Sequence, residues 1–255
     1  MDMNGLIRRE LDEIEKKEDV HILYCAESGS RAWGFPSPDS DYDARIVYVR
    51  RPEFYLKLEH TRDVIEWKLD DTYDINGWDI QKLLRLLYKS NPVIFEWCSS
   101  PIVYKDTALW DSHRDGIFTY FDSRTALCHY ISMAKNRLKT QFDDEIIIYK
   151  RYFYILRDIL CCEWIFDRAA PPPMLLTELT SEYLPDEFQG IVGELLTKKM
   201  SGELGKGPQI PELSAYIREK AESLDKRISA LEKSASPDWD GLDRMFLDIL
   251  EKAWS

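Results

Sequence analysis

In residues 4–18, Leu6, Ile7, Leu11 and Ile14 recur at helical spacing among charges, which predicts an amphipathic first helix. Two apolar runs follow, at 20–25 and 44–50, each with the makings of a buried strand. Between them lie a small-residue turn and a loop, 34–39, whose two prolines bar both helix and central strand. Arg51-Pro52 breaks the second strand, a short helix is expected near 53–58, and 64–69 alternates weakly as a third strand. Asp70-Asp71 is expected to turn the chain, and 72–76 to form a fourth strand. Gly77-Trp78-Asp79 then reads as the opening of a helix with the stripe Ile80, Leu83, Leu84 and Leu87. Ser90-Asn91-Pro92 ends it and starts another over 93–98, and 101–104 is a short extended piece.

Beyond Phe121 the period is helical almost throughout. Helices are predicted over 121–141, 145–168, 175–183, 186–200, 211–233 and 239–253, with the triple proline 171–173 as a stop and 202–211 as a polar linker. The fold class is therefore α/β (α+β), with a mixed sheet in an N-terminal domain, 1–115, and a C-terminal helical bundle, 116–255. The domain junction is placed within 105–118.

Two aspartates open the second strand, in the string Ser40-Asp41-Tyr42-Asp43. In extended backbone, residues i and i+2 point to the same side, so the carboxylates of Asp41 and Asp43 project together and can share divalent cations. Mg²⁺ takes oxygen ligands and keeps positions open for phosphate and water. At the end of the preceding strand, Gly29-Ser30-Arg31 offers backbone N–H groups, a hydroxyl and a cation to phosphate oxygens. Together these are the equipment for metal-assisted phosphoryl or nucleotidyl transfer. A calcium loop starting at Asp39 fails, because Ala44 and Arg50 stand where it needs glycine and glutamate.

The string Glu27-Ser28-Gly29-Ser30-Arg31-Ala32-Trp33-Gly34-Phe35 with Ser40-Asp41-Tyr42-Asp43 resembles the signature of the DNA polymerase β-like nucleotidyltransferase superfamily. Within it, the likeness is to the RlaP-type branch associated with RNA repair operons. The segments from Asp74 through Asn91-Pro92 and Tyr152 through Arg157 are also similar to that branch. The resemblance implies a nucleotidyltransferase fold in the N-terminal domain and transfer of a nucleoside monophosphate from an NTP, ATP foremost, to a hydroxyl, with pyrophosphate released. It implies two Mg²⁺ ions, with Mn²⁺ as a substitute, and an acceptor that is an RNA end. It also implies that Gly29 and Ser30 hold the β- and γ-phosphates, and that a third metal carboxylate comes from a later strand. Asp74 is preferred for that third position over Glu66 and Asp79. Asp74 is flanked by apolar residues in extended chain, whereas Glu66 suits a solvated face and Asp79 a helix cap.

The remaining candidates carry two readings each. Arg31 pairs with phosphate or with Glu27, and phosphate is preferred. Ser40 caps a turn or touches phosphate. Trp33 and Phe35 read as packing residues, with base stacking as the second reading. Lys150 and Arg157 resemble the helical-domain block and are assigned to the nucleotide, the alternative being solvated charges beside a core Tyr152. Two rival functions stay open: an antitoxin-type enzyme that attaches AMP to a protein hydroxyl, and a regulatory module that binds NTP without transfer.

Thirty-four basic against 46 acidic residues leave a net charge of −12, which disfavours nonspecific binding to a nucleic-acid backbone. The five cysteines, 25, 98, 128, 161 and 162, have no zinc spacing, and the four histidines, 21, 60, 113 and 129, form no triad. Scattered thiols and the lack of a membrane-length apolar run lead to the expectation of a cytoplasmic protein without membrane partners.

Overall fold

The structure, a computed structural model, describes residues 3–59, 61–70, 72–142 and 145–255. His60 and Asp71, the latter in the expected turn, lie outside the described residues. Two compact units are present. One gathers the residues up to Ala32, Asp41–Tyr120 and Ser236–Ser255; the other gathers Trp33–Ser40 and Phe121–Ala235.

The first unit is built on a five-stranded mixed sheet. In chain order its elements are α1 (Met3–Glu18), β1 (Val20–Glu27), α2 (Gly29–Ala32), β2 (Ala44–Arg50), α3 (Pro52–Tyr55), β3 (Val64–Leu69), β4 (Asp74–Asp79), α4 (Ile80–Tyr88), α5 (Pro92–Cys98), β5 (Val103–Asp106), α6 (Ala108–Asp111) and α7 (Arg114–Phe118). The strand order is β3-β4-β2-β1-β5. All neighbours are antiparallel except β2 and β4, which run parallel with Arg45 opposite Asn76 and Val47 opposite Trp78. Ile7, Leu11 and Ile14 of α1 form one core with Ile22, Ile46, Tyr48, Ile65 and Ile75. The alternation of β2 follows from this: Ala44, Ile46 and Tyr48 enter that core, which leaves Arg45 on the opposite face.

Gly77-Trp78-Asp79 does not open a helix as expected; it completes β4. A side chain at Gly77 would stand 2.8 Å from the main-chain oxygen of Ile46, so glycine lets β2 and β4 pair closely at that step. Helix α4 begins only at Ile80, capped by Asp79, whose Oδ1 accepts from Gln81 N at 2.8 Å.

The second unit contains α8 (Ser123–Gln141), β6 (Ile146–Ile148), α9 (Lys150–Arg168), α10 (Leu176–Tyr183), α11 (Asp186–Met200), β7 (Lys206–Pro208) and α12 (Pro211–Ser229). The long helix expected from 145 starts five residues later. Three consecutive isoleucines favour extended chain, and β6 pairs with β7 inside the segment read as a linker. Tyr152, Phe153, Leu156 and Leu160 are fully buried in a core shared with α8, α10 and α12.

The single boundary near 115 is replaced by a more interleaved arrangement. Residues 105–118 are not a junction: they form part of β5, α6 and α7, with Trp110 fully buried. The loop 33–40 belongs to the helical unit, where Phe35 is 1% exposed and its ring lies 5.3 Å from that of Phe153. The last helix, α13 (Asp240–Ala253), returns to the first unit and packs on α4 and β2 through Leu242, Met245 and Ile249. No helix among the described residues is long and apolar enough to cross a membrane.

Candidate active site

The site is assembled at the end of β1. Glu27 is fully buried there, opposite Ala44 in the β1–β2 register. Its Oε1 accepts from Asp43 N at 2.7 Å, and the Tyr104 hydroxyl donates to its Oε2. Ser28 N donates to Asp43 O at 2.9 Å. These bonds fix the main chain of Asp43 before its side chain is considered. Burial pushes the Glu27 carboxyl up to about 7, although Tyr104 and the Asp43 N–H favour its ionised form.

Gly29 follows with φ +58°, in the left-handed region. A Cβ placed on it would fall on Asp43 Oδ2 and stand 2.8 Å from Asp43 Cγ. Only glycine therefore lets the turn and the carboxylate approach this closely. Ser30 lies next to it in α2, half-buried. Arg31 turns toward the Asp-x-Asp segment: its Nε donates to Asp41 O at 2.9 Å, and its guanidinium lies 3.7 Å from the centre of the Tyr42 ring. Arg31 thus braces the loop that carries Asp41, in addition to any part it has in binding phosphate.

The two aspartates do not open β2 but stand just ahead of it, on either side of Tyr42, which forms an isolated parallel bridge with Tyr73. Tyr42 N donates to Thr72 O and Asp74 N donates to Tyr42 O, both at 2.9 Å, which brings Asp74 alongside. Asp43 and Asp74 converge on one arginine: Arg45 Nη2 donates to Asp43 Oδ1 and to Asp74 Oδ2, at 2.7 Å each. Arg45 Nη1 donates to the main-chain oxygen of Asp74, also at 2.7 Å, and Asn76 Nδ2 reaches Asp74 Oδ1 at 3.0 Å. The two carboxyls titrate apart. Burial pushes Asp43 up to about 6 against the pull of Arg45, with Asp41 and Asp74 adding to the rise. Asp74, although also raised by burial, is brought below its ordinary value by the bonds from Arg45 and Asn76.

Residues 3–248 match the family described as RlaP, the RNA repair pathway DNA polymerase beta family. The chain belongs to this family. It is 38% identical over 255 residues to the uncharacterized protein YcgL of Bacillus subtilis (strain 168), an alignment that spans 99% of this chain and 98% of that protein. A solved nucleotidyltransferase-like protein from Exiguobacterium sibiricum 255-15 shares 12% identity with it over 98% of this chain and 80% of the other, with a TM-score of 0.32.

For this RlaP family member, the other two candidates for the third carboxylate have separate work. Glu66 is exposed and pairs with Arg62. Asp79 is 2% exposed, caps α4 and accepts from the Tyr55 hydroxyl at 2.9 Å. It lies five residues beyond Asp74 on the same strand, an odd step that sends it to the other face.

The candidates of the helical unit divide. Ser40 caps its own turn, accepting from Ser37 N at 2.9 Å. Lys150 is exposed and, with Lys199, Ser37 and Asp39, lines a cavity of about 230 Å³. Arg157 does not share that environment, although the two were expected on nearly one face: it is 3% exposed, donates to Met174 Sδ at 3.7 Å and lies 4.7 Å from the Trp33 ring. Trp33 and Phe35 are packing residues of the helical core.

The family implies divalent metal. Among the described residues no group of His, Cys, Asp and Glu forms a ready-made cage, and the cation now lying between two of the carboxylates is Arg45. The donor chemistry nevertheless fits a hard ion. The donors are carboxylate oxygens, one of them kept against the Gly29 turn by the missing Cβ, and Asp43 is raised because its surroundings under-compensate its charge. Reasoning from sequence missed Glu27, Tyr104 and Arg45. For Arg45 a signal was present, since it continues the same-side series Asp41, Asp43, Arg45.

Proposed function

We propose that this protein is a cytoplasmic Mg²⁺-dependent nucleotidyltransferase that moves a nucleoside monophosphate, AMP foremost, from an NTP to a hydroxyl at an RNA end, releasing pyrophosphate. The observation that carries this reading is the meeting of Asp43 and Asp74 within reach of one Arg45 nitrogen, directly beside the Gly29 turn. Asp41, Asp43 and Asp74 would hold Mg²⁺ or Mn²⁺, which when bound would neutralise triphosphate charge and acidify the attacking hydroxyl. Gly29 clears the approach of phosphate oxygens, and Ser30 offers them a hydroxyl. Before metal binds, Arg45 and Asn76 hold the Asp74 carboxyl below its ordinary value; in the reaction Asp74 accepts a hydrogen bond from the attacking hydroxyl and orients it. Glu27 acts at one remove by holding the Asp43 main chain.

The RNA acceptor rests on the family description and is the point to test first. The protein is incubated with each α-labelled NTP and Mg²⁺ or Mn²⁺ in the presence of total RNA and total protein. Label in RNA that disappears with Asp41→Asn and Asp43→Asn supports the proposal. Label in a protein band would make it a protein-modifying enzyme, and Mg-ATP binding with no labelled product would make it a nucleotide-binding regulator.

A further inference from the structure

We infer that Arg45 is a resident counter-cation of the acidic site, one that a divalent ion must displace from between Asp43 and Asp74. The inference rests on the metal-dependent reading above. Arg45 lies in the middle of the sheet, on the strand between β1 and β4, with its side chain 15% exposed. Because β2 and β4 are parallel and Arg45 sits opposite Asn76, its guanidinium reaches across to the strand that carries Asp74. A planar fork suits this position: one nitrogen serves two carboxylates while the other is anchored on a main-chain oxygen.

All four oxygens of the two carboxylates are accounted for. Asp43 Oδ2 faces the Gly29 turn, and Asp74 Oδ1 accepts from Asn76 at 3.0 Å. Asp43 Oδ1 and Asp74 Oδ2 are left to face each other, and both are taken by Arg45 Nη2 at 2.7 Å. An ion held by Asp43 and Asp74 together would compete with that nitrogen for the two carboxylates. The anchor from Nη1 to the Asp74 main chain involves neither carboxylate, so Arg45 can release both carboxylates and stay attached to β4. Loading the site is then an exchange of a monovalent for a divalent cation. Without metal, Arg45 keeps Asp43 and Asp74 together and prevents their mutual repulsion.

A purely structural bridge and a displaceable counter-cation predict opposite signs. Arg45→Met keeps most of the stem and removes the charge. Mn²⁺ binding to the full-length protein without nucleotide is followed by the electron paramagnetic resonance signal of the free ion. The variant is expected to bind Mn²⁺ at least about tenfold more tightly than the natural protein, since a positive charge beside the ion and its competitor are both removed. Arg45→Lys keeps the charge but cannot fork, and is expected to gain about threefold. Unchanged or weaker binding in Arg45→Met overturns the inference, because a bridge that merely builds the site loses metal when it is cut. If Arg45→Met does not fold, Arg45→Lys decides, and no gain in affinity overturns the inference. Binding that depends on Asp41 and Asp43 but is insensitive to Arg45 sinks only this inference. No Mn²⁺ binding by the natural protein, even with ATP present, sinks the metal reading and this inference with it.

Discussion

Substituting Gly29 by alanine adds one methyl group at the most confined point of the site. Two costs follow, and they can be separated. Residue 29 has φ +58°, and holding a non-glycine residue in the left-handed region costs roughly 1–2 kcal/mol. The new Cβ would also fall on Asp43 Oδ2 and stand 2.8 Å from Asp43 Cγ, so the carboxylate has to move. It is not free to do so, because Oδ1 is bound to Arg45 at 2.7 Å and the main chain is bound to Glu27 at 2.7 Å. Giving up one charge-assisted bond costs about 1.5–3 kcal/mol. Gly29→Ala should therefore destabilise the β1–β2 region by about 2.5–5 kcal/mol in all. In an Asp43→Ala background only the backbone cost of roughly 1–2 kcal/mol should remain, since the atoms in the way are gone. Native-state hydrogen exchange on peptides covering 20–50 gives the four free energies of that cycle. Equal costs of Gly29→Ala in both backgrounds would refute the close approach as the reason for glycine here.

Three further outcomes follow from the structure. Gly77→Ala should lower stability by about 1–3 kcal/mol in a denaturant melt, as the methyl meets the Ile46 carbonyl oxygen between two paired strands. Arg157→Ala should lower the melting temperature of the helical unit by removing a packed, buried side chain worth about 2–4 kcal/mol, and unchanged stability would contradict its burial. Asp79 is raised by burial from 3.8 to about 6, so the folded protein keeps a proton that the unfolded chain has already lost. Stability should therefore fall as pH rises across that interval, by at most about 3 kcal/mol from this group, and Asp79→Asn should flatten the slope.

Much of this site is legible in sequence because its parts are local. Strand parity places Asp41 and Asp43 on one side, and Tyr42 between them bridges to Tyr73 just ahead of β2. A positive-φ glycine beside them is the kind of residue a tight turn requires. The same parity separates Asp74 from Asp79, but only once the strand is known to run through Asp79. The helical stripe that begins at Ile80 hid this, because a capping aspartate and the last residue of a strand look alike in sequence. Arg45 and Glu27 were passed over for a different reason. Their roles are set by partners 29 residues away in Asp74 and 77 away in Tyr104, and strand pairing at that range has no local signature. The mixed α/β class follows from the sequence, but which unit each segment joins does not where the chain doubles back. Phe35 and α13 carry ordinary apolar residues, and nothing in a periodicity tells which core will take them.

The charge of the site leads to a last prediction. Asp41, Asp43, Asp74 and Glu27 bring four carboxylates to one strand end, and Arg31 and Arg45 bring two guanidiniums. Burial leaves Asp43 raised to about 6 despite its bond to Arg45, so near that pH Asp43 itself should carry a proton in about half of the molecules. A divalent ion and that proton compete for the same carboxylate. Below the raised value, each unit of pH should weaken metal binding by about tenfold, because a proton must leave first; above it, affinity should level off. Calorimetric titrations of Mn²⁺ in buffers of different ionisation enthalpy count the protons released. About half a proton per ion is expected at pH 6 and none near pH 8. Asp43→Asn should abolish the release together with most of the binding, whereas Asp79→Asn, equally raised but employed as a helix cap, should leave it intact. Metal affinity that is constant from pH 5 to pH 7.5 would mean that Asp43 is not a ligand, and the acidic cluster would then need another purpose.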